Sequence, residues 1–332
     1  MYYPFLFGEK YFMKQPINTS SFACNVDAIL LPGTGSISDR SDVARKKNYI
    51  QMKKIAVVLF AVIISISSRA QIMNGYVQQG EFGLAVGAGH YFGDLNTRAA
   101  LNRPKFSAGA FFRKQFSNYI GLKIAANYAR LGYSDVYSNN ETQKRRNLSF
   151  NTNLWEFAVS GDFNFFKFYP GVEGFTYTPY VSLGVGVFSY DPFAFLGGEK
   201  YFLRPLGTEG QGSAAYPERK FYSTMGLCIP VAVGFKYNVS EKINLFAEVG
   251  YRFTNTDYLD DVSTTYAPDA FQPLPNGNPS AAMLLSDRSY ETGTPIGIKG
   301  RQRGNSSQKD AYVIAQVGVS FNLSSYKCPT VK

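Results

Sequence analysis

One histidine and three cysteines are all that 332 residues offer as soft metal ligands or thiol chemistry. Cys24, Cys228 and Cys328 form no CxxC pair, which excludes a zinc ribbon and a thioredoxin-type motif. Tryptophan occurs once, and only 17% of the chain is charged. The formal net charge of +10 is uneven: residues 1–70 hold nine Lys/Arg against four Asp/Glu, leaving 25 against 20 in the remainder. With so small an excess and no basic helix, nucleic-acid binding is not expected. After residue 70 no apolar run is long enough for a membrane helix.

Aromatics and glycine are abundant instead: 28 Phe, 24 Tyr and 31 Gly, which points to an all-β chain. The stretch EFGLAVGAGHYFGDLN, residues 81–96, shows why. It is not a dinucleotide loop, because Gly87-Ala88-Gly89 is followed by Tyr91 and Phe92 with no helical apolar pattern behind them. Phe82, Leu84, Val86 and Ala88 alternate with Gly83, Ala85, Gly87 and Gly89. That is a strand, large on one face and nearly bare on the other.

Upstream, residues 52–71 read MKKIAVVLFAVIISISSRAQ. A basic start at Lys53 and Lys54, an apolar run from Ile55 to Ile66, and small residues at Ser68 and Ala70 have the layout of a secretory signal peptide. Cleavage is expected before Gln71. A membrane anchor is the alternative, but the run is short for a span. Residues 1–51 then read as a mis-called N-terminal extension, with translation starting at Met52. Residues 71–80 and 324–332 are expected to be short periplasmic ends of a domain over 81–323.

Seven further period-two runs follow, at 105–116, 119–130, 154–166, 178–188, 223–237, 243–254 and 311–323. Each is long enough for a tilted membrane strand. One face carries Phe, Leu, Ile and Val; the other carries Gly, Ser, Asn and charges. A soluble barrel, lipocalin-like for example, or a sandwich would put the apolar face inside. Secretion and this inverted polarity favour an eight-stranded antiparallel transmembrane outer-membrane β-barrel, whose closure leaves no strand edge unpaired in lipid.

The connectors alternate short and long: Ser117-Asn118, about 167–177 and 238–242 are short, while the others run up to 255–310. Short turns belong on the periplasmic side and long loops outside. The last loop holds Pro268, Pro273, Pro275, Pro279 and Pro295 and is expected to be mobile. Tyr91, Tyr119, Phe168, Tyr169, Tyr190, Tyr237 and Tyr326 fall near strand ends, where interfacial girdles are expected.

Eight strands enclose a lumen that side chains can fill. The inward set holds Arg113, Lys123, Glu156, Asp162, Lys236, Glu248 and Arg252. Buried charges must pair, so a salt-bridged plug is expected ahead of an ion path. A catalytic role for Glu156, Asp162 and Glu248 is the sharper alternative, which no spacing selects. His90 points outward near the rim, away from any nucleophile. No catalytic, cofactor-binding or metal site is expected. Cys228 and Cys328 fall toward opposite sides of the membrane and are not expected to bridge.

The signal ending in Ala-Gln, the 81–96 stretch, Asn102-Arg103-Pro104, RNLSF at 146–150, LWEFAVSGDFNFF at 154–166 and TPYVSLGVGVF at 178–188 resemble the PorG-type family. These are small outer-membrane barrels of the type IX secretion system of Bacteroidota. The resemblance covers most of 75–323. It implies a non-enzymatic subunit of the secretion and gliding machinery, set in outer-membrane lipid and contacting periplasmic secretion-ring proteins, with no small-molecule substrate. The alternative is a small outer-membrane pore or surface ligand-binding barrel.

Overall fold

The computed structural model describes residues 80–323. The expected signal peptide, the extension, Cys24, Tyr326 and Cys328 lie outside these residues. Within them the chain forms ten strands: β1 (Gly80–Phe92), β2 (Lys105–Gln115), β3 (Ile120–Ser134), β4 (Ser149–Asn164), β5 (Tyr177–Ser189), β6 (Phe193–Leu196), β7 (Glu199–Phe202), β8 (Met225–Ser240), β9 (Ile243–Thr254) and β10 (Ala311–Leu323). Eight of them build a closed, antiparallel barrel. Neighbours follow the order β3-β2-β1-β10-β9-β8-β5-β4, and β4 pairs back onto β3. The first and last long strands zip along their whole length, from Gly80 opposite Leu323 to Phe92 opposite Ala311.

The eight expected runs match the eight barrel strands. The sequence did not signal β6 and β7, a small hairpin rising from the long connector after β5 and tied to β4 by one pairing, Asn151 with Phe193. Four residues per strand are too few for alternation to register.

Alternation sets the two faces. Leu84, Val86, Leu183 and Val185 stand 52%, 56%, 62% and 67% exposed on the outer wall, while inward Ala85, Ala158 and Ala232 are buried. An outer surface this apolar is unfavourable in water and matches a hydrocarbon surround. Pro230 shows how the ladder tolerates a missing N–H. It pairs with Arg252 of β9, and on its other side the β5–β8 pairing skips from Leu183–Val231 to Gly186–Cys228.

Some inner-wall glycines are steric necessities. A Cβ on Gly87 would sit 2.0 Å from the Ala315 carbonyl oxygen, and one on Gly318 would sit 2.1 Å from that of Leu84. These positions flank the β1–β10 seam.

The two ends of the barrel differ. At one, short turns join β2 to β3 and β8 to β9. At the other, segments 93–104, 135–148, 190–224 and 255–310 form a folded cap. It includes three short helices, α1 (Glu141–Arg146), α2 (Leu203–Leu206) and α3 (Ala281–Ser286). The hydrophobic core lies beneath it, in the long-loop half of the lumen: Tyr91, Leu95, Leu131, Phe150, Leu154, Phe188 and Tyr312 pack together there.

Segment 255–310 is partly folded over the barrel end. Exposed residues concentrate at about 268–280 and 290–302, which hold the five prolines, while Leu259, Val262, Tyr266 and Leu285 are buried. The buried Arg146 and Arg303 hold much of the remainder.

Candidate functional site

Below the hydrophobic core, four cations and four carboxylates fill the lumen. Arg113 reaches Glu81 (3.0 Å) and Asp162 (2.6 Å), Lys123 pairs with Glu248 (2.5 Å), and Arg252 pairs with Glu156 (3.1 Å). Glu81 lies within the opening stretch of the sequence but was not among the expected inward charges, because it stands at the very start of its run. Its other oxygen accepts from the Ser320 hydroxyl. Glu156 also accepts from Tyr312 Oη (2.6 Å) and Asn127 Nδ2 (2.8 Å), and Glu248 from Tyr180 Oη (2.7 Å).

Lys236 stands apart. Its ammonium lies over the rings of Phe168 (4.8 Å) and Tyr180 (5.6 Å), and it has no hydrogen-bonding partner among the described residues. The three candidate carboxylates Glu156, Asp162 and Glu248 do not converge on a common point; each is held by a different cation. No group of three metal-ligating side chains occurs among the described residues.

Three expectations are corrected at the long-loop end. Tyr91 and Tyr190 are buried in the interior there rather than forming a girdle, and Phe168, in the connector from β4 to β5 at the opposite end, is buried against Lys236. Tyr119 and Tyr237 are exposed on the outer wall. His90 does keep its outward phase, yet it is only 4% exposed, because segment 93–104 folds over it. Its Nε2 lies 2.7 Å from the Ala100 carbonyl oxygen, and its ring packs edge-on to Phe92 and Tyr133. Cys228 is buried with its Sγ 3.8 Å from Tyr312 Oη.

The cap holds a second polar cluster, which no periodic pattern announced. Arg146 binds Asp135 through two nitrogens, both at 2.7 Å, and donates to the carbonyl oxygens of Arg303 (2.6 Å) and Asp94 (3.0 Å). Arg303 in turn pairs with Glu209 (3.1 Å) and donates to the Asp261 carbonyl oxygen (2.6 Å). Glu209 accepts from the backbone N–H groups of Ser263 and Thr264. Four loops are thereby cross-tied by buried charges.

Beneath these ties, Tyr91 Oη lies 2.5 Å from Asp260 Oδ2 and 2.9 Å from Asp310 Oδ1. The hydroxyl has one hydrogen, so it serves only one carboxylate. The other contact requires a proton on a carboxyl group. Burial, with repulsion from Asp310 and Asp94 on Asp260 and from Asp257 and Asp94 on Asp310, pushes both carboxyls well above the usual carboxylate range. Burial raises Asp257 and Asp261 to about 6. A cavity of about 400 Å³ opens beside the cluster, lined by Asp94, Arg146, Tyr266, Arg301 and Arg303 among others.

Residues 53–283 match a protein family described as a domain of unknown function, DUF6089. The chain belongs to the DUF6089 family. No curated protein matches the sequence. Among solved structures, the fold is similar to Neisserial surface protein A, at 11% identity over 75% of this chain and 100% of that one, TM-score 0.37. A major outer membrane protein of Thermus thermophilus matches at 12% identity over 74% and 99%, TM-score 0.35. Ail of Yersinia pestis, crystallised with the heparin analogue sucrose octasulfate, matches at 9% identity over 74% and 99%, TM-score 0.33.

In this DUF6089 chain, the end of the 81–96 stretch and the start of RNLSF help to build the cap. A Cβ on Gly93 would meet Asp310 Oδ1 at 1.9 Å and Tyr91 Oη at 2.1 Å, so glycine is needed for the carboxyl cluster to form. Asp94 accepts from Asn305 N at 2.7 Å, Leu95 enters the core, and Asn96 Nδ2 donates to the Tyr91 carbonyl oxygen at 2.9 Å. In RNLSF, Arg146 is the cross-loop tie, Asn147 takes the left-handed conformation (φ 57°) that ends α1, and Leu148 and Phe150 are core.

Proposed function

We propose that this protein is a non-enzymatic outer-membrane barrel that works through its surfaces, as a structural subunit of the type IX secretion and gliding machinery contacting its periplasmic ring. The observation that carries a surface role is the filled lumen. Paired charges and a packed aromatic layer occupy the barrel interior, and a folded cap covers its long-loop end. The apolar outer wall supports residence in lipid, and the short-turn end supplies the periplasmic face. The secretion role rests on the resemblance of the segments at 81–96, 146–150, 154–166 and 178–188. Those segments are also the ones that form the closing seam, the lumen pairs and the cap.

Deleting the gene and following export of C-terminally tagged cargo and surface motility tests this role. Unimpaired export and motility would remove it. Capture from gently solubilised membranes should recover periplasmic secretion-ring proteins.

A second reading, a surface ligand-binding barrel, is favoured by one observation. The cap is a charge-tied structure holding a cavity of about 400 Å³, within the range of small-molecule sites. Planar-bilayer recording separates both readings from a pore.

A further inference from the structure

The outer wall of the barrel carries a cluster of cations that its own carboxylates leave unpaired. Lys105 at the start of β2, Arg130 near the end of β3 and Lys200 on the β6–β7 hairpin line one cleft of about 540 Å³, together with Phe106, Asn151 and Phe195. None of the three has a carboxylate within salt-bridge distance among the described residues, and no acidic residue lines the cleft. The acidic neighbour of Lys200, Glu199, instead accepts from the Tyr201 hydroxyl at 2.7 Å.

Each cation is held in place by uncharged groups. Lys105 Nζ donates to Asn151 Oδ1 (2.5 Å), and Arg130 Nε donates to Tyr128 Oη (3.1 Å). Lys200 Nζ sits 3.9 Å over the Phe193 ring and 4.4 Å over that of Phe202. The remaining N–H donors of all three are available to a ligand. Asp191 attracts Lys200 without coming within salt-bridge distance, so the repulsion between Lys105 and Arg130 stays uncompensated until an anion joins them.

Sheet register supplies the other half of the site. Arg130 lies opposite Asn153, and the next outward row on the lipid side is Ala108, Tyr128 and Trp155. Phe106 and Trp155 are 54% and 64% exposed, and the Tyr128 and Trp155 rings lie 4.9 Å apart. An aromatic shelf thus runs from the cation cluster into the apolar band. Such a surface is complementary to an amphiphile with an anionic head above and acyl chains below.

We propose that this cleft binds a phosphorylated glycolipid of the surrounding outer leaflet, the phosphate at Lys105, Arg130 and Lys200 and an acyl chain along Phe106 and Trp155. The proposal rests on the outer-membrane placement, which puts the long-loop end at the outer leaflet. The β6–β7 hairpin acquires a role in it: the hairpin carries the third cation out over the wall.

The test uses the full chain in nonionic detergent, titrated with diphosphoryl lipid A, with the same lipid stripped of its phosphates, and with phosphatidylglycerol, the complexes being counted by native mass spectrometry. Diphosphoryl lipid A is expected to bind at least about tenfold tighter than either comparison lipid. Replacing Lys105→Gln, Arg130→Gln and Lys200→Gln together should weaken it on the order of a hundredfold, since each cation near an anionic headgroup contributes roughly a fivefold factor. Lys114→Gln, at the opposite end of β2, should change nothing. A heat-dependent gel shift reports whether the variants fold. If the triple variant does not, Lys200→Gln alone should still weaken binding about fivefold.

Equal binding with and without phosphates, equal binding of phosphatidylglycerol, or an unaffected folded variant would overturn the proposal. Absence of the protein from outer-membrane fractions would instead defeat the placement, and lipid titration in detergent does not depend on it.

Discussion

Arg252 and Glu156 meet across the lumen at 3.1 Å, on strands that share no hydrogen bond and at positions 96 residues apart. Side-chain exposures of 5% and 0% leave no room for water to replace either partner. Tyr312 and Asn127 complete the carboxylate's bonding. The pair therefore fixes how β4 and β9 face each other as well as neutralising two charges.

Removing one side of this pair should cost more than removing both. Arg252→Met leaves Glu156 buried without its cation and should destabilise the barrel by about 3–5 kcal/mol. The double variant Glu156→Gln, Arg252→Met should recover most of that loss. Urea unfolding in detergent, followed by the gel shift, measures both; equal midpoints for the single and double variants would contradict the pairing.

Two glycine-to-alanine changes of the same size should behave differently. Gly87→Ala drives a methyl into the Ala315 carbonyl at the β1–β10 seam and should cost about 1–3 kcal/mol through forced backbone shifts. Gly161→Ala meets nothing nearer than 4.0 Å and should lie within about 0.5 kcal/mol of the parent. Comparable losses at both positions would mean that the seam is not close-packed as described.

The filled lumen predicts electrical silence. In planar bilayers the full chain should show no steady conductance at moderate voltage, because paired charges and a buried aromatic cluster occupy the lumen. A persistent single-channel step seen at the expected insertion density would overturn this.

The cap should loosen as pH rises. Asp257 and Asp261 titrate near 6 in the folded protein, and Asp260 and Asp310 higher still, against an ordinary value of 3.8. A raised folded pKa means that the folded state binds the proton more tightly. The stabilisation is complete below about 3.8 and is lost progressively as pH climbs through 6 and beyond. Hydrogen exchange across 255–310 between pH 5 and 8 should speed up beyond its intrinsic pH dependence. Asp310→Asn should flatten that excess, since an amide supplies permanently the hydrogen that Tyr91 cannot share.

The sequence alone determined the barrel. Period-two alternation is a local signal, set by the geometry of one strand, so eight runs, their inverted polarity and the short–long connector pattern were legible without any contact known. The same signal put seven lumenal charges on the inner face, from Arg113 to Arg252. It could not say which would pair, because β4 and β9 approach only after closure.

Tertiary structure decided the rest. It brought Glu81 to Arg113, left Lys236 resting on aromatic rings, and buried His90 under a loop that periodicity could not see. It also turned a proline-rich connector into a cap. The ties that do so, Arg146 to Asp135 and Arg303 to Glu209, join loops far apart in the chain, and no periodic pattern runs through them. A strand announces itself through its neighbours two residues away. A folded loop depends on partners that only the closed barrel brings within reach.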